Sequence, residues 1–321
     1  MRRSVVVRLI WGEVSIHRGH SWSVVLLLGA ALVLALPAGV IAREGSATEA
    51  PATPTSSGNR VDIGGRAVFI LCKGTGSPTI VLEAGSGNSA DTWAGVQPEI
   101  ARFTRVCSYD RAGLGQSDPA PTGVRTVQDS VDDLHALLAA ADISDPIVLA
   151  GHSLGGLIVR LYTSQYPNDV VGLVLVDGMP PDLPAAGLAL LPVPERRETF
   201  TIMRGLHPQD PEHLDVIASG VWVMAHPLAP VPTVVLAAGF HGAPGAPPDA
   251  AFEVLWQELQ QEQARVLDAP IVSVPEADHF LQQDRPELVI EAIRQVIEAM
   301  RDPDARATPE SAPDTIDTPV P

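Results

Sequence analysis

One serine in this chain stands where a serine can be made to react. Gly151-His152-Ser153-Leu154-Gly155-Gly156 directly follows the apolar run Pro146-Ile147-Val148-Leu149-Ala150. A Gly-x-Ser-x-Gly pattern in that place closes a buried strand and opens a helix. The turn between them is too tight for side chains at the flanking positions, so glycines stand at 151 and 155. Such a turn lifts the Ser153 hydroxyl above the sheet and aims the free N–H groups of a helix N-terminus at the same spot. The chemistry implied is nucleophilic attack, and a hydroxyl needs a base to become a nucleophile.

Nine histidines are available as that base. His279 is the first choice. It follows the run Ile271-Val272-Ser273-Val274 by a short loop, Pro275 to Asp278, and precedes a helix predicted to open at Pro286. Leu288, Ile290, Ile293 and Ile297 give that helix an apolar face. A histidine on a loop after a last strand can fold back over the sheet edge to meet a nucleophile there. His241, in a Gly- and Pro-rich loop after another strand, is the reserve base. His152 lies beside the serine but points away from it, which assigns it to packing or hydrogen bonding.

These groups have to be held by a scaffold, and the apolar runs supply one. Val68 to Leu71, Thr79 to Leu82 and Arg105 to Tyr109 are short β-rich runs separated by Gly and Pro. Val170 to Val176, Thr233 to Ala238 and Ile271 to Val274 follow downstream. Helical patterns alternate with them from about Asp91 onward. That alternation predicts an α/β fold with a mostly parallel sheet and helices on both faces. The stretch from 178 to 230 has no strand pattern and is rich in Pro and Leu, then more helical. It is expected to form a helical lid over Ser153, with Met203, Trp222 and Met224 as possible pocket-lining residues or as packing within the lid.

Composition sets the outer bounds. At 321 residues with 45% hydrophobic residues, the chain can bury one large core with an insertion. Its net charge of −17, with Lys73 the single lysine among 21 basic residues, gives no electrostatic footprint for nucleic acid. Arg2, Arg3, Arg8 and Arg18 precede an uncharged run from Val24 to Ala42. Residues 1–42 therefore read as a secretory signal cut before Arg43, or as an uncleaved N-terminal membrane anchor through residues 24–42. Either places the domain outside the cytoplasm. Residues 43–59 read as a flexible linker, 60–301 as the folded domain and the proline-rich 302–321 as a disordered tail. In an oxidising compartment the two cysteines, Cys72 and Cys107, favour a disulfide over two buried thiols. Gly113-Leu114-Gly115 lacks a third glycine and a following helix, so it is not a dinucleotide site. No Cys/His/Asp cluster has metal-ligand spacing in the sequence, and no metal or cofactor is expected. Asp110 and Arg111 read as a structural ion pair or loop clamp.

The elbow, the block Tyr109-Asp110-Arg111-Ala112-Gly113-Leu114-Gly115-Gln116-Ser117-Asp118 and the ending Ala277-Asp278-His279-Phe280 jointly resemble the α/β-hydrolase superfamily. The resemblance spans about Val61 to Met300. It implies a triad in the chain order serine, acid, histidine. The acid is often found soon after the strand that here reads Thr233 to Ala238, but no carboxylate follows until Asp249. Some members place it at the end of the preceding strand, where this chain has Asp177, 24 residues beyond Ser153. Asp177 is taken as the acid, with Asp249 and Glu253 as alternatives. The oxyanion donors implied are the N–H groups of Leu154 and of Ser86, in the loop Glu83-Ala84-Gly85-Ser86-Gly87-Asn88. The expected activity is that of an exported, cofactor-free and monomeric serine hydrolase acting on a small-molecule ester or related acyl substrate. A non-catalytic binding protein of the same fold, or a lyase or cofactor-free haloperoxidase on the same triad, are the alternatives.

Overall fold

The computed structural model describes residues 6–9, 12–15, 58–208, 210–241 and 249–301. An N-terminal antiparallel hairpin pairs β1 (Val6–Leu9) with β2 (Gly12–Ser15). The apolar run 24–42 and the tail 302–321 lie outside the described residues. The remaining strands are β3 (Asn59–Asp62), β4 (Ala67–Lys73), β5 (Thr79–Glu83), β6 (Val106–Tyr109), β7 (Ile147–His152), β8 (Val170–Val176), β9 (Thr233–Phe240) and β10 (Ile271–Asp278). They form one eight-stranded sheet in the order β10-β9-β8-β7-β5-β6-β4-β3. Strands β5 to β10 run parallel, and β4 and β3 add antiparallel at one edge.

The central strands are buried on both faces, which is why they read as continuous apolar runs. Successive side chains divide between two cores. Leu149, Leu173, Leu175 and Val235 pack with Val131, Leu134, Leu157 and Ile158 of α2 (Val127–Ala140) and α3 (Leu154–Gln165). α1 is the short helix Gln97–Ile100. Val148, Ala150, Val174, Val176 and Leu236 turn the other way, toward Trp93, Ile100, Ile293 and Val296. Between β8 and β9 come α4 (Leu183–Leu190), α5 (Val193–Met203) and α6 (Val216–Met224). The chain then continues through α7 (Ala250–Val266), the short α8 (Leu281–Asp284) and α9 (Pro286–Arg301).

Several boundaries differ from the sequence expectation. β3 starts at Asn59, inside the expected linker; its pattern escapes notice because Val61 is its single apolar residue and is only half-buried. The expected loop Pro275 to Asp278 is strand, with an irregular register between Val274 and Asp278 that a proline at 275 accommodates. Trp222 and Met224 are 46% and 47% exposed. The Trp222 indole N–H donates to Gln128 Oε1 on α2 at 3.0 Å. Asp110 and Arg111 do not pair with each other: the Asp110 carboxylate accepts N–H groups of Ala90 and Gln116, and Arg111 pairs elsewhere. Among the described residues no helix is long and apolar enough to cross a membrane.

Cys72 and Cys107 are registered partners on antiparallel β4 and β6, and a disulfide joins them. Alkylation of the unreduced, denatured protein is expected to find no free thiol; two reactive thiols would contradict the bond. Closing a loop of sequence separation 35 is worth on the order of 3–4 kcal/mol in the chain-entropy account. Reduction should lower the unfolding free energy, measured by urea titration, by up to about that amount.

Candidate active site

Parallel strands bring their C-terminal ends to one edge of the sheet, and four of those ends carry the groups singled out by sequence. Ser153 follows β7, Asp177 follows β8, His279 follows β10, and the Glu83–Asn88 loop leaves β5. The elbow is as tight as its glycines require. A Cβ on Gly151 would lie 2.6 Å from Gly155 O, and one on Gly155 would lie 2.7 Å from Glu83 O. Ser153 itself has φ 53°, in the left-handed region that L side chains avoid. Its carbonyl accepts N–H groups of Gly156 at 2.8 Å and Met179 at 2.7 Å, which hold the strained turn in place.

The serine, histidine and aspartate form one hydrogen-bonded line. Ser153 Oγ lies 3.0 Å from His279 Nε2, and His279 Nδ1 lies 2.6 Å from Asp177 Oδ2. The polarity that satisfies both contacts has Ser153 donating to Nε2 and the Nδ1–H donating to the carboxylate. His279 is seated by its own backbone: its N–H donates to Phe240 O at 3.0 Å, and its carbonyl accepts the His152 Nε2–H at 3.0 Å. Burial and the neighbouring His279 push the His152 imidazole down to about 3, so it is neutral and serves this hydrogen bond. All three residues of the line are nearly or fully buried.

Asp177 is the most heavily tied of these groups. It too has positive φ, 45°, and its N–H donates to Leu236 O at 2.8 Å. Oδ1 accepts the Ala238 N–H at 3.1 Å and the Trp256 indole N–H at 2.9 Å. Oδ2 accepts the His279 Nδ1–H and, at 2.7 Å, the Nε2–H of His241. Burial would raise its pKa, but the His241 charge and the hydrogen bonds from His241 and His279 outweigh it. They hold the carboxyl well below the usual range.

One face of α7 supplies much of this support. Glu253, Trp256, Gln260 and Gln263 recur at three- and four-residue spacing, so they line one side of the helix. Trp256 reaches Asp177, while Gln260 and Gln263 both donate to Gly178 O, at 2.9 and 3.1 Å. Glu253 accepts from His241, through its backbone N–H at 2.7 Å and its Nδ1–H at 2.8 Å. His241, the reserve base, therefore sits on Asp177, and its hydrogen bonds go to Asp177 and Glu253. Asp249, the alternative acid, is exposed and caps α7, accepting the Ala251 and Phe252 N–H groups. Asp177, His241 and His279 place three potential donor atoms within 4.8 Å, a cluster that sequence spacing did not foresee. Separations of 2.6 and 2.7 Å between nitrogen and Oδ2 are those of proton-bridged pairs.

The loop after β5 is clamped by a buried ion cluster centred on Arg111, in keeping with its reading as a loop clamp, but with Glu83 and Glu212 as its partners. The Arg111 guanidinium pairs with Glu83 and with Glu212, a residue of the α5–α6 connection, and donates to Ala84 O at 2.6 Å and Gly85 O at 2.7 Å. Glu212 also accepts the Gly87 N–H at 2.8 Å. The Tyr109 hydroxyl donates to Glu83. Burial raises the Glu83 carboxyl above its ordinary value even against the Arg111 charge. A trans peptide sets C=O and N–H on opposite sides. With Gly85 O on Arg111, the Ser86 N–H therefore turns away from the ion cluster. No hydrogen bond to the Ser86 or Leu154 N–H occurs among the described residues.

The model of the alpha/beta hydrolase fold family matches residues 78–266. An uncharacterised Bacillus subtilis protein, YqjL, is 38% identical over 105 residues, which is 33% of this chain and 41% of that protein. The chain thus spans less than half of that relative. A thermophilic esterase from Thermogutta terrifontis superposes with a TM-score of 0.53 at 22% identity, covering 76% of this chain and 99% of that one. A bromoperoxidase from Bacillus anthracis does so with 0.53 at 17%, covering 75% and 100%. At these identities the two structures share the fold.

The paired shifts of Asp177 and His241 give stability a pH signature. Burial would lower the His241 pKa, but the Asp177 charge, the Asp177 hydrogen bond and Glu253 raise it from 6.5 to about 9. Its contribution is full below 6.5 and is lost as pH rises through about 9. The Asp177 contribution is present above its ordinary value of 3.8 and is lost as pH falls. Urea unfolding is therefore expected to show stability falling between pH 6.5 and 9, with a flatter profile in His241→Gln. Equal slopes in the two proteins would contradict this assignment.

Proposed function

The chain belongs to the alpha/beta hydrolase family, and from that premise we propose that it is a serine hydrolase cleaving a carboxylic ester or related acyl compound. The observation that carries the proposal is the continuous buried line from Ser153 Oγ through His279 to Asp177 Oδ2. As Ser153 Oγ bonds the acyl carbon, its proton passes to His279 Nε2, and Asp177 stabilises the imidazolium that forms. The Leu154 and Ser86 N–H groups receive the developing oxyanion. His279 then returns the proton to the leaving oxygen as the C–O bond breaks, leaving an acyl ester on Ser153. Water, deprotonated by His279, attacks that ester and releases the acid, and the proton goes back to Ser153. The reaction balances with water alone.

We assign the segment 178–230 as cover for this site. Its Glu212 grips the oxyanion loop through Arg111 and Gly87, and Ser153 is only 1% exposed. A shielded site strengthens each electrostatic contact within it. We also place the domain outside the cytoplasm, a reading supported by the Cys72–Cys107 disulfide and by the charge pattern of residues 1–42.

Turnover of a short-chain aryl ester tests the roles. Ser153→Ala is expected to abolish activity above background, and Asp177→Asn to lower kcat by on the order of 10³–10⁴. Asp249→Asn, a change in an exposed helix cap, is expected to leave kcat within about twofold and cost about 1 kcal/mol of stability or less. The reverse ranking of the two aspartates would move the acid. Turnover surviving Ser153→Ala would refute the mechanism.

A further inference from the structure

A carboxylate that orients a catalytic histidine has one imidazole to serve; Asp177 serves two. His279 Nδ1 and His241 Nε2 lie 2.6 and 2.7 Å from the same oxygen, Oδ2, and the two rings are 5.2 Å apart. The other nitrogen of His241 is also committed. Nδ1 faces Glu253 Oε2 at 2.8 Å, and the His241 side chain is fully buried. Both ring nitrogens thus point at carboxylate oxygens, which accept and cannot donate when ionised. An imidazole satisfies two such acceptors only with a proton on each nitrogen, as a cation. The ring also has two aromatic neighbours, a tilted Trp256 ring with its centroid at 4.2 Å and an edge-on Phe252 ring at 6.1 Å.

We propose that His241 is a positioning residue for the Ser153 reaction: clamped between Asp177 and Glu253, it withholds part of the Asp177 carboxylate from His279 and sets a positive charge beside that ring, which works against a second cation there. The proposal rests on the serine-hydrolase reading above. The direction follows from charge. A cation beside His279 disfavours a second cation there, and a carboxylate oxygen shared between two N–H donors stabilises the His279 imidazolium less than one devoted to it. The charged and titratable groups facing the pair are Asp177 at the end of β8, Glu253 on α7 and His152 at the end of β7. His152 donates to the His279 carbonyl and is neutral, so it does not offset the His241 charge. The raised His241 pKa, about 9, agrees with the geometry. Glu253 keeps the cation in place, because without it Nδ1 would face no acceptor among these groups.

The test is the pH dependence of kcat/KM for hydrolysis of 4-nitrophenyl acetate by the parent protein and by His241→Gln, whose amide can still donate to Asp177 but carries no charge. Removing a unit charge about 5 Å from His279 in a partly polar interior is expected to move the midpoint of the acid limb up by about one pH unit or more. Activity at pH 5.5 should then fall by roughly tenfold more than activity at pH 8. A merely structural role for His241 would lower the rate at every pH and leave the midpoint in place; an unmoved or lowered midpoint overturns the proposal. A second measurement needs neither turnover nor His241→Gln. In ¹⁵N-histidine-labelled Ser153→Ala, both His241 ring nitrogens are expected to stay protonated from pH 5.5 to 7.5. Loss of either proton in that range overturns the proposal while leaving the hydrolase reading intact. A parent that cleaves no ester, with His241 doubly protonated, instead refutes the hydrolase reading and takes the proposal with it.

Discussion

The buried carboxylate of Asp177 is the constraint on which the candidate site depends. A desolvated negative charge is costly unless it is met by donors, and Asp177 is met by four. They come from the end of β9, from α7, from the residue following β9 and from the residue following β10. No single element can meet this demand. The carboxylate therefore fixes where the ends of β9 and β10 lie relative to β8, and how α7 is rotated against the sheet. The His279 ring sits where it does because its Nδ1–H is one of those donors, and its far nitrogen is then left facing Ser153.

Around that centre, strain and burial are held in place by backbone contacts. Ser153 and Asp177 both have positive φ. Each is secured by main-chain hydrogen bonds to neighbouring segments, which is what allows a conformation costing on the order of 1–3 kcal/mol to persist. The loop after β5 is held in the same spirit by a charge cluster. Arg111 pairs with Glu83 and Glu212 and binds two loop carbonyls, so the loop cannot relax without leaving buried charge unpaired. Because Glu212 comes from between α5 and α6, that connection is tied to the loop after β5.

Much of this was legible in the residues. The parallel strands announced themselves as apolar runs because both faces of the sheet are covered, and Ser153 and His279 lie where strand ends and local glycines placed them. Asp177 was reachable because a carboxylate closes the Val170–Val176 run and none follows Ala238 closely. Edge strand β3 was not legible, since an edge pattern of Asn, Arg, Val and Asp carries almost no alternation. Glu212 left no local signal: its role arises from a separation of 101 residues to Arg111. The α7 stripe did leave one. Glu253, Trp256, Gln260 and Gln263 repeat at helical spacing, and a polar stripe on the side that faces the sheet marks donors and acceptors with buried partners. His241 could be listed as a base from its loop, but its actual station on Asp177 depends on the fold bringing three strand ends together.

The central claim is that Ser153 is made nucleophilic by His279 held on Asp177. Covalent labelling with a fluorophosphonate, followed by peptide mass spectrometry, tests it most directly. One phosphonyl group per chain is expected, on the peptide containing Ser153, with labelling slowed by on the order of 10³ or more in Asp177→Asn. Labelling at another residue, or an unchanged rate in Asp177→Asn, would contradict it.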